Sequence, residues 1–393
     1  MKKFSRIILY GIGNGRDHAN HIELAKCENI EFCSLITNKN ALMEKYKNVY
    51  YIKSINEAIN FAKKYKPDLV IVSNRKDLAS GATEEFRKAG FETFGITKEV
   101  AKLETAKEYA KKFMVRNNIT TPDYYVAESE NNAIKYIQEN WNKTKYGYVF
   151  KVDQFSKNSF ERTAVPENME DAIKDIHRLF NSTPNARLII EEKIIGYELS
   201  LHIMINNRKY TILPLVQDYK KKYPKNEGPM TAGTASVAEN KTIPQKLLNR
   251  IKCEIIEPTI NGFKNENIEY NYILYIGVMI SNTGKPYILE YNTRTGNPEW
   301  LSILGLLDKP FIDFIEAFYN NVEEIENFWK KDYYSITMYG FSAGYPEVER
   351  KYFNENIMNL EKIKNDTDII GEHIVKKDNY IIPSGGRVFA LRR

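Results

Sequence analysis

The sequence predicts a mixed protein, an α/β half followed by an α+β half, and three observations carry that reading. Over residues 1–103 short apolar runs alternate with helical patterns, as βαβ units and a parallel sheet require. The middle of the chain carries several strand-like runs that suit an antiparallel sheet with helices laid against it. The tail from Tyr333 to Arg393 again reads as β-rich.

RIILYGIG opens the chain as strand one, and a helix follows around His18 to Lys26. EFCSLIT reads as a second strand, SINEAINFAKKY as an amphipathic helix, DLVIVS as a buried strand and ATEEFRKAG as a helix closed by Gly90. Glu92 to Thr97 completes a Rossmann-like open sheet. From Lys98 to Asn117 the period is helical, and Pro122 pushes the residue before it into an extended conformation. YGYVFKV, ARLIIEEKI, LSLHIMI and YTILPLV follow as strands. Asn226 to Ser236, NEGPMTAGTAS, reads as a loop whose glycines and proline suit a ligand-approaching backbone. A helix through Gln245 to Glu257 precedes YNYILYIGVMI and KPYILEYN, which SNTG joins as a hairpin. The expected domains are 1–103, 104–325 and a small β-rich unit, 326–393.

A length of 393 residues suits two or three domains, and 42% hydrophobic with 27% charged residues lies in the globular range. No run approaches the roughly 18 apolar residues of a membrane span, and the N-terminus lacks a leader cleavage pattern, so a cytoplasmic protein without membrane contact is expected. Cys27, Cys33 and Cys253 show no metal or redox spacing, which suits reduced thiols. The net charge of +6 comes from 57 basic and 51 acidic residues scattered along the chain. Its one dense cluster, Lys220 to Lys222 with Lys225, suits a solvated or phosphate-facing loop better than a nucleic-acid stripe.

The chemistry gathers in ILEYNTRTGNPEW. On an extended chain positions 290, 292 and 294 share one face, so the Glu290 carboxylate, the Asn292 amide and the Arg294 guanidinium converge. Glu290 and Asn292 offer hard oxygens for Mg²⁺, or Mn²⁺, and Arg294 a fork for a carboxylate or phosphate. The plainer alternative is a strand end with mixed charges. Lys151 stands inside the apolar run VFKVD, where burial is costly unless an anion meets it. Lys107 lies on a helical stretch, where a solvated lysine is the ordinary reading.

These segments together resemble glycinamide ribonucleotide synthetases, an ATP-grasp family, over nearly the whole chain. GIGNGRDHAN resembles that family's N-terminal turn, FRKAGFETFGITKEVAKLETAKEYAKKFMVRNNITTPDY its linker, and IIEEKIIGYELSLHIMI its adenine-side hinge. ILYIGVMISNTGKPYILEYNTRTGNPE resembles its metal-binding hairpin and SGGRV its C-terminal signature. The resemblance implies a Rossmann-like N-terminal domain, an ATP-grasp domain with a mobile lid at about 120–192, and a small C-terminal domain. It also implies an ATP-dependent ligase that activates a small carboxylate as an acyl phosphate and joins it to an amine, acting on small molecules as a monomer or homodimer.

By position, the resemblance puts Lys107 and Lys151 at the ATP phosphates; in the glycine-free loop above them, which departs from the family, Lys157 or Arg162 could substitute with side-chain charge. It puts Glu191, Glu192, Lys193 and Ile194 at the adenine and Glu198 near the ribose. Glu290 and Asn292 match the magnesium ligands, Arg294 the residue holding the acceptor carboxylate, and Asp218 and Lys220 the pair near the amino-acid substrate. Gly13, Asn14, Gly15 and Arg16 match the turn on the amine side.

Three departures qualify the match. Gly13 to His18 are one glycine short of the family turn, with Asp17 in place of Glu. Ser73, Asn74 and Arg75 replace a Gly-Pro-Glu segment near the ribosyl amine. The phosphate loop, Gln154 to Val165, contains no glycine, and Thr231 to Ala235 replace a Gly-Gly-Met-Gly run. These departures favour a divergent paralogue with a small amino acid as its carboxylate, and a genuine enzyme of the purine step is the alternative. Two rivals come from other classes. A dinucleotide oxidoreductase lacks its third glycine and an acidic end to strand two. A non-catalytic nucleotide-binding module would not need Glu290, Asn292 and Arg294.

Overall fold

The computed structural model describes residues 1–153, 163–183, 186–239, 243–347, 353–363 and 366–393. The chain opens with β1 (Arg6–Gly11), α1 (Gly15–Ala25), β2 (Glu31–Ile36), β3 (Val49–Tyr51), α2 (Ile55–Tyr65), β4 (Leu69–Val72), α3 (Arg75–Ser80), α4 (Ala82–Lys88) and β5 (Thr93–Phe94). The five strands form one parallel sheet in the order β3-β2-β1-β4-β5. β1 is central, so Ile7, Ile8 and Leu9 are fully buried, each contributing about 1.5–3 kcal/mol of burial free energy. Asn14 starts α1 by accepting from the backbone of Arg16 and Asp17, a capping box completed by the Asp17 side chain.

α5 (Lys98–Thr105) and α6 (Lys107–Arg116) follow, broken at Ala106 where the period suggested one continuous helix. Next come β6 (Tyr124–Ala127), α7 (Glu130–Asn140), β7 (Tyr148–Val152), β8 (Thr163–Ala164), α8 (Met169–Ser182) and β9 (Leu188–Glu192). These strands make an antiparallel sheet in the order β6-β9-β7-β8, and Ile137, Phe150, Ile176 and Ile190 build a core separate from the main one.

The remaining elements are β10 (Gly196–Asn206), β11 (Lys209–Ile212), β12 (Leu215–Tyr223), β13 (Glu227–Glu239), α9 (Gln245–Ile251), α10 (Glu257–Asn265), β14 (Tyr272–Ser281), β15 (Pro286–Asn292), α11 (Glu299–Gly305), α12 (Phe311–Asn320), β16 (Tyr334–Phe341), β17 (Asp368–Gly371), β18 (Ile374–Lys377), β19 (Tyr380–Pro383) and β20 (Arg387–Arg392). A large antiparallel sheet runs β15-β14-β10-β12-β13-β16-β20-β17, with β11 beside β10. Most of the NEGPMTAGTAS segment is therefore strand, in β13, paired with β12 from Glu227 and with β16 from Ala235, where its glycines and proline suggested a loop. β3 and α3 are further elements that the apolar pattern did not announce.

The first core joins this sheet to the N-terminal one, and Tyr272 Oη donates to the carbonyl of Val72 at 3.0 Å. The last strand returns to the start of the chain. Arg392 is almost fully buried, donates to the Leu301 carbonyl at 3.3 Å and pairs with Glu23 of α1 and with Asp368.

Candidate active site

Five of the residues singled out by sequence close into a circuit where the sheets meet. Lys107 at the head of α6 donates Nζ to the Val152 carbonyl at 3.1 Å. The neighbouring Lys151 donates Nζ to Glu191 and to the Leu289 carbonyl, both at 3.0 Å. Glu290 follows, and its Oε1 accepts from Asn292 at 3.2 Å. Asn292 Oδ1 accepts from Arg294 at 2.9 Å, and Arg294 Nε donates to Glu104 at 3.1 Å, three residues before Lys107. A bulge at Leu289 in the β14–β15 pairing sets Glu290 opposite Gly277, which has no side chain to cover it.

Glu290 is open to solvent although protein atoms crowd around it. That crowding pushes its pKa up, yet Lys151, Lys220 and the Asn292 hydrogen bond outweigh it and hold the carboxylate below its ordinary value. An ionised, accessible carboxylate beside an amide oxygen fits Mg²⁺, which takes few protein oxygens and completes its shell with phosphate and water. The Asn292 oxygen also serves Arg294, so a cation there would share that amide. Among the described residues no cluster of three or more His, Cys, Asp or Glu stands as a metal site, which leaves phosphate oxygens to supply the rest.

On β9, Glu191 is buried and taken by two lysines, Lys151 at 3.0 Å and Lys111 at 3.3 Å. Lys111 also donates to Thr121 Oγ1 at 2.6 Å, and burial pushes its pKa down to about 8. Glu192, Lys193 and Ile194 form the crossing from β9 to β10, with the Lys193 N–H donating to the Gly147 carbonyl at 3.0 Å. The Glu191 side chain thus serves the lysine pair, while Glu192, Lys193 and Ile194 are partly exposed.

Asp218 and Lys220 project from the same face of β12, 3.9 Å apart, and Lys220 also pairs with Glu198 of β10. Burial works against the Lys220 ammonium, but Glu198, Tyr275 and Asp218 hold its pKa well above the ordinary value. Burial and the nearby Glu299 push the Asp218 carboxyl well up, more than Lys220 lowers it, and its Oδ1 has no hydrogen-bond partner among the described residues. Gly233 of β13 has φ +102°, and a Cβ there would meet Pro298 Cδ at 2.6 Å and Asp218 Oδ1 at 3.1 Å, so the strand passes between them as glycine.

The turn at the head of α1 forms the opposite wall. Asp17 is fully buried and accepts from the N–H groups of Ile12, Gly13 and Asn14 at 2.9, 2.8 and 3.2 Å, and from Ser73 Oγ. The Gly15 N–H donates to Glu372 Oε2 at 2.6 Å. Arg16 reaches the Thr295 carbonyl at 2.7 Å and Arg75 pairs with Glu104 at 3.8 Å, which links this wall to Arg294.

Sequence reasoning missed Glu104, Lys111 and Glu372, whose partners lie far along the chain. Only the helical position of Glu104 and Lys111 beside Lys107 offered a signal. Lys157 and most of the glycine-free loop lie outside the described residues, so that assignment has no structural counterpart.

Residues 105–300 match the ATP-grasp (A) domain of phosphoribosylglycinamide synthetase, and residues 5–104 match its N domain. The phosphoribosylamine–glycine ligase of Caldanaerobacter subterraneus subsp. tengcongensis is 30% identical over 98% of this chain and 91% of its own length. That of Vibrio parahaemolyticus is 30% identical over 98% of this chain and 89% of its own. The crystal structure of the phosphoribosylamine–glycine ligase of Thermotoga maritima superposes with a TM-score of 0.78 at 26% identity, covering 98% of this chain and 92% of that one. An L-amino acid ligase of Bacillus licheniformis shares the fold at 12% identity and a TM-score of 0.64, over 99% of this chain and 93% of its own. The chain belongs to the phosphoribosylamine–glycine ligase family and is an ADP-forming, carbon–nitrogen bond-forming ligase of the ATP-grasp class.

Proposed function

We propose that the chain joins glycine to phosphoribosylamine at the expense of ATP. The circuit Lys107–Lys151–Glu290–Asn292–Arg294 is the observation that carries this reading. The names of its full-length relatives support the specific substrates, and they support a genuine enzyme of that step better than the divergent paralogue the sequence departures suggested.

Phosphoryl transfer to a carboxylate brings two anions together, so the site must neutralise charge while holding the groups in line. Lys107 and Lys151 cradle the phosphates, and Arg294 holds the acceptor carboxylate. Glu290 and Asn292 would hold a magnesium or manganese ion, which would supply Lewis-acid chemistry to the phosphates. Asp218, with its open oxygen, receives the ammonium of the amino acid, whose charge favours the ionised carboxylate. The lid, residues 120–192, closes over ATP and excludes water from the acyl phosphate that the amine then attacks.

The test incubates the protein with ATP, magnesium and single amino acids, with and without phosphoribosylamine, and follows ADP release and products by mass spectrometry. Glycinamide ribonucleotide is the expected product, and absence of turnover with every pair refutes the reading. A second reading, in which the same chemistry serves another amine, draws on the amine-side wall, where Ser73 is tied to Asp17 and Arg75 to Glu104. Turnover with a different amine alone would establish it.

A further inference from the structure

The donors at the head of α1 are all taken by the chain's own side chains. Ile12, Gly13 and Asn14 donate to Asp17, and Arg16 and Asp17 donate to Asn14 Oδ1 at 3.1 and 3.2 Å. These are local contacts that any capped helix makes. Gly15 differs, because its N–H is met by Glu372, a carboxylate 357 residues away at the end of β17.

Glu372 is buried, and the groups around it form a complete anion seat. Its oxygens accept from the Gly15 N–H at 2.6 Å and from Asn297 Nδ2 at 3.2 Å, and they lie 3.2 Å from Tyr339 Oη, whose one proton is shared with Asn297 Oδ1 at 2.5 Å. The Arg387 guanidinium lies 3.6 Å away, with its cation over the Tyr339 ring at 4.7 Å. A helix N-terminus, an amide, a hydroxyl and a guanidinium are the donors a phosphate group calls for. The fit is close, since a Cβ on Gly15 would meet Glu372 Oε2 at 2.4 Å. A second observation falls on the same turn. Arg16, the next residue, is buried, its Nη1 donates to the Thr295 carbonyl, and its Nε has no hydrogen-bond partner among the described residues.

We infer that Glu372 is a specificity residue: its carboxylate stands in for an anionic group at the head of α1, and an amine bearing a phosphate reaches that seat only by displacing it. Two anions do not share one set of donors at hydrogen-bond distance, because their repulsion in a buried site far exceeds its value in water. The inference deepens the proposed function and rests on it for the identity of the amine, but its test reads binding and is independent of turnover.

The experiment measures calorimetric binding of ribose 5-phosphate and of ribose to the full chain as wild type, Glu372→Gln and Glu372→Ala. Removing the carboxylate should tighten ribose 5-phosphate binding at least about tenfold and leave ribose unchanged. Equal or weaker binding of ribose 5-phosphate in a folded variant overturns the inference, and so does strong wild-type binding that neither substitution alters. Thermal melting and ATP binding verify the fold. Glu372→Gln, which keeps the shape and most hydrogen bonds, carries the test where the alanine variant fails to fold. Failure of the ligase reading looks different, since it appears as no ADP release with any amine whatever the binding result.

Discussion

At the ends of β14 and β15, Glu290 stands open to solvent with Lys107, Lys151 and Lys220 around it, whereas at the head of α1 Asp17 and Glu372 are buried and the backbone N–H groups of the turn are engaged. Both walls gather charge from distant parts of the chain. One leaves a carboxylate accessible among cations, the state expected where metal and triphosphate are to arrive, while the other closes its charges into a finished network. The difference separates groups available for chemistry from groups that hold shape, and residue type alone does not reveal it.

The sharpest way to break the comparison is Glu290→Ala. If Glu290 holds the divalent cation, turnover should fall by about 10³-fold or more, equivalent to about 4 kcal/mol of transition-state stabilisation, with the melting temperature barely changed. Steady-state ADP release checks this, and an active variant would remove the metal role. The contrasting substitution is Asp17→Ala, which leaves three N–H groups without an acceptor. It should cost about 3 kcal/mol of stability, read from denaturant unfolding, and an unchanged midpoint would show that the α1 wall is not structural.

The smallest expected effect concerns protons. Burial pushes the His21 pKa down to about 4, against an ordinary value of 6.5. The folded state therefore refuses a proton that the unfolded chain accepts, so stability present above pH 6.5 is lost as pH falls toward 4. Replacing His21 with Asn should reduce that slope by at most about 1.4 kcal/mol per pH unit, seen in unfolding midpoints across the window. An identical slope in the variant would mean that other groups carry the acid sensitivity.

Much of this organisation was legible in the sequence. β1, β2 and β4 read correctly because central parallel strands are continuous apolar runs, and β14 and β15 because a polar turn separates two such runs. β3 escaped because it has three residues and an exposed face, and α3, RKDLAS, because it buries only Leu78. β13 was misread because glycine and proline signal loops, although here Gly233 serves to pass Asp218. In the site, alternation alone brought Glu290, Asn292 and Arg294 together, a charge inside an apolar run marked Lys151, and resemblance supplied Lys107. Glu104 and Glu372 stayed hidden because their meaning lies in partners 190 and 357 residues away, and no local pattern encodes a contact of that span.

The return of β20 to the beginning of the chain bears on how the protein is made. Glu23, buried on α1, pairs with Lys26 just past the end of its own helix at 3.0 Å and, from far along the chain, with Arg392 of β20. During synthesis the first helix precedes β20 by most of the residues in this sequence, so until Arg392 arrives Lys26 alone offsets the cost of burying that carboxylate. The N-terminal sheet comes early in the sequence, and a strand made much later locks it.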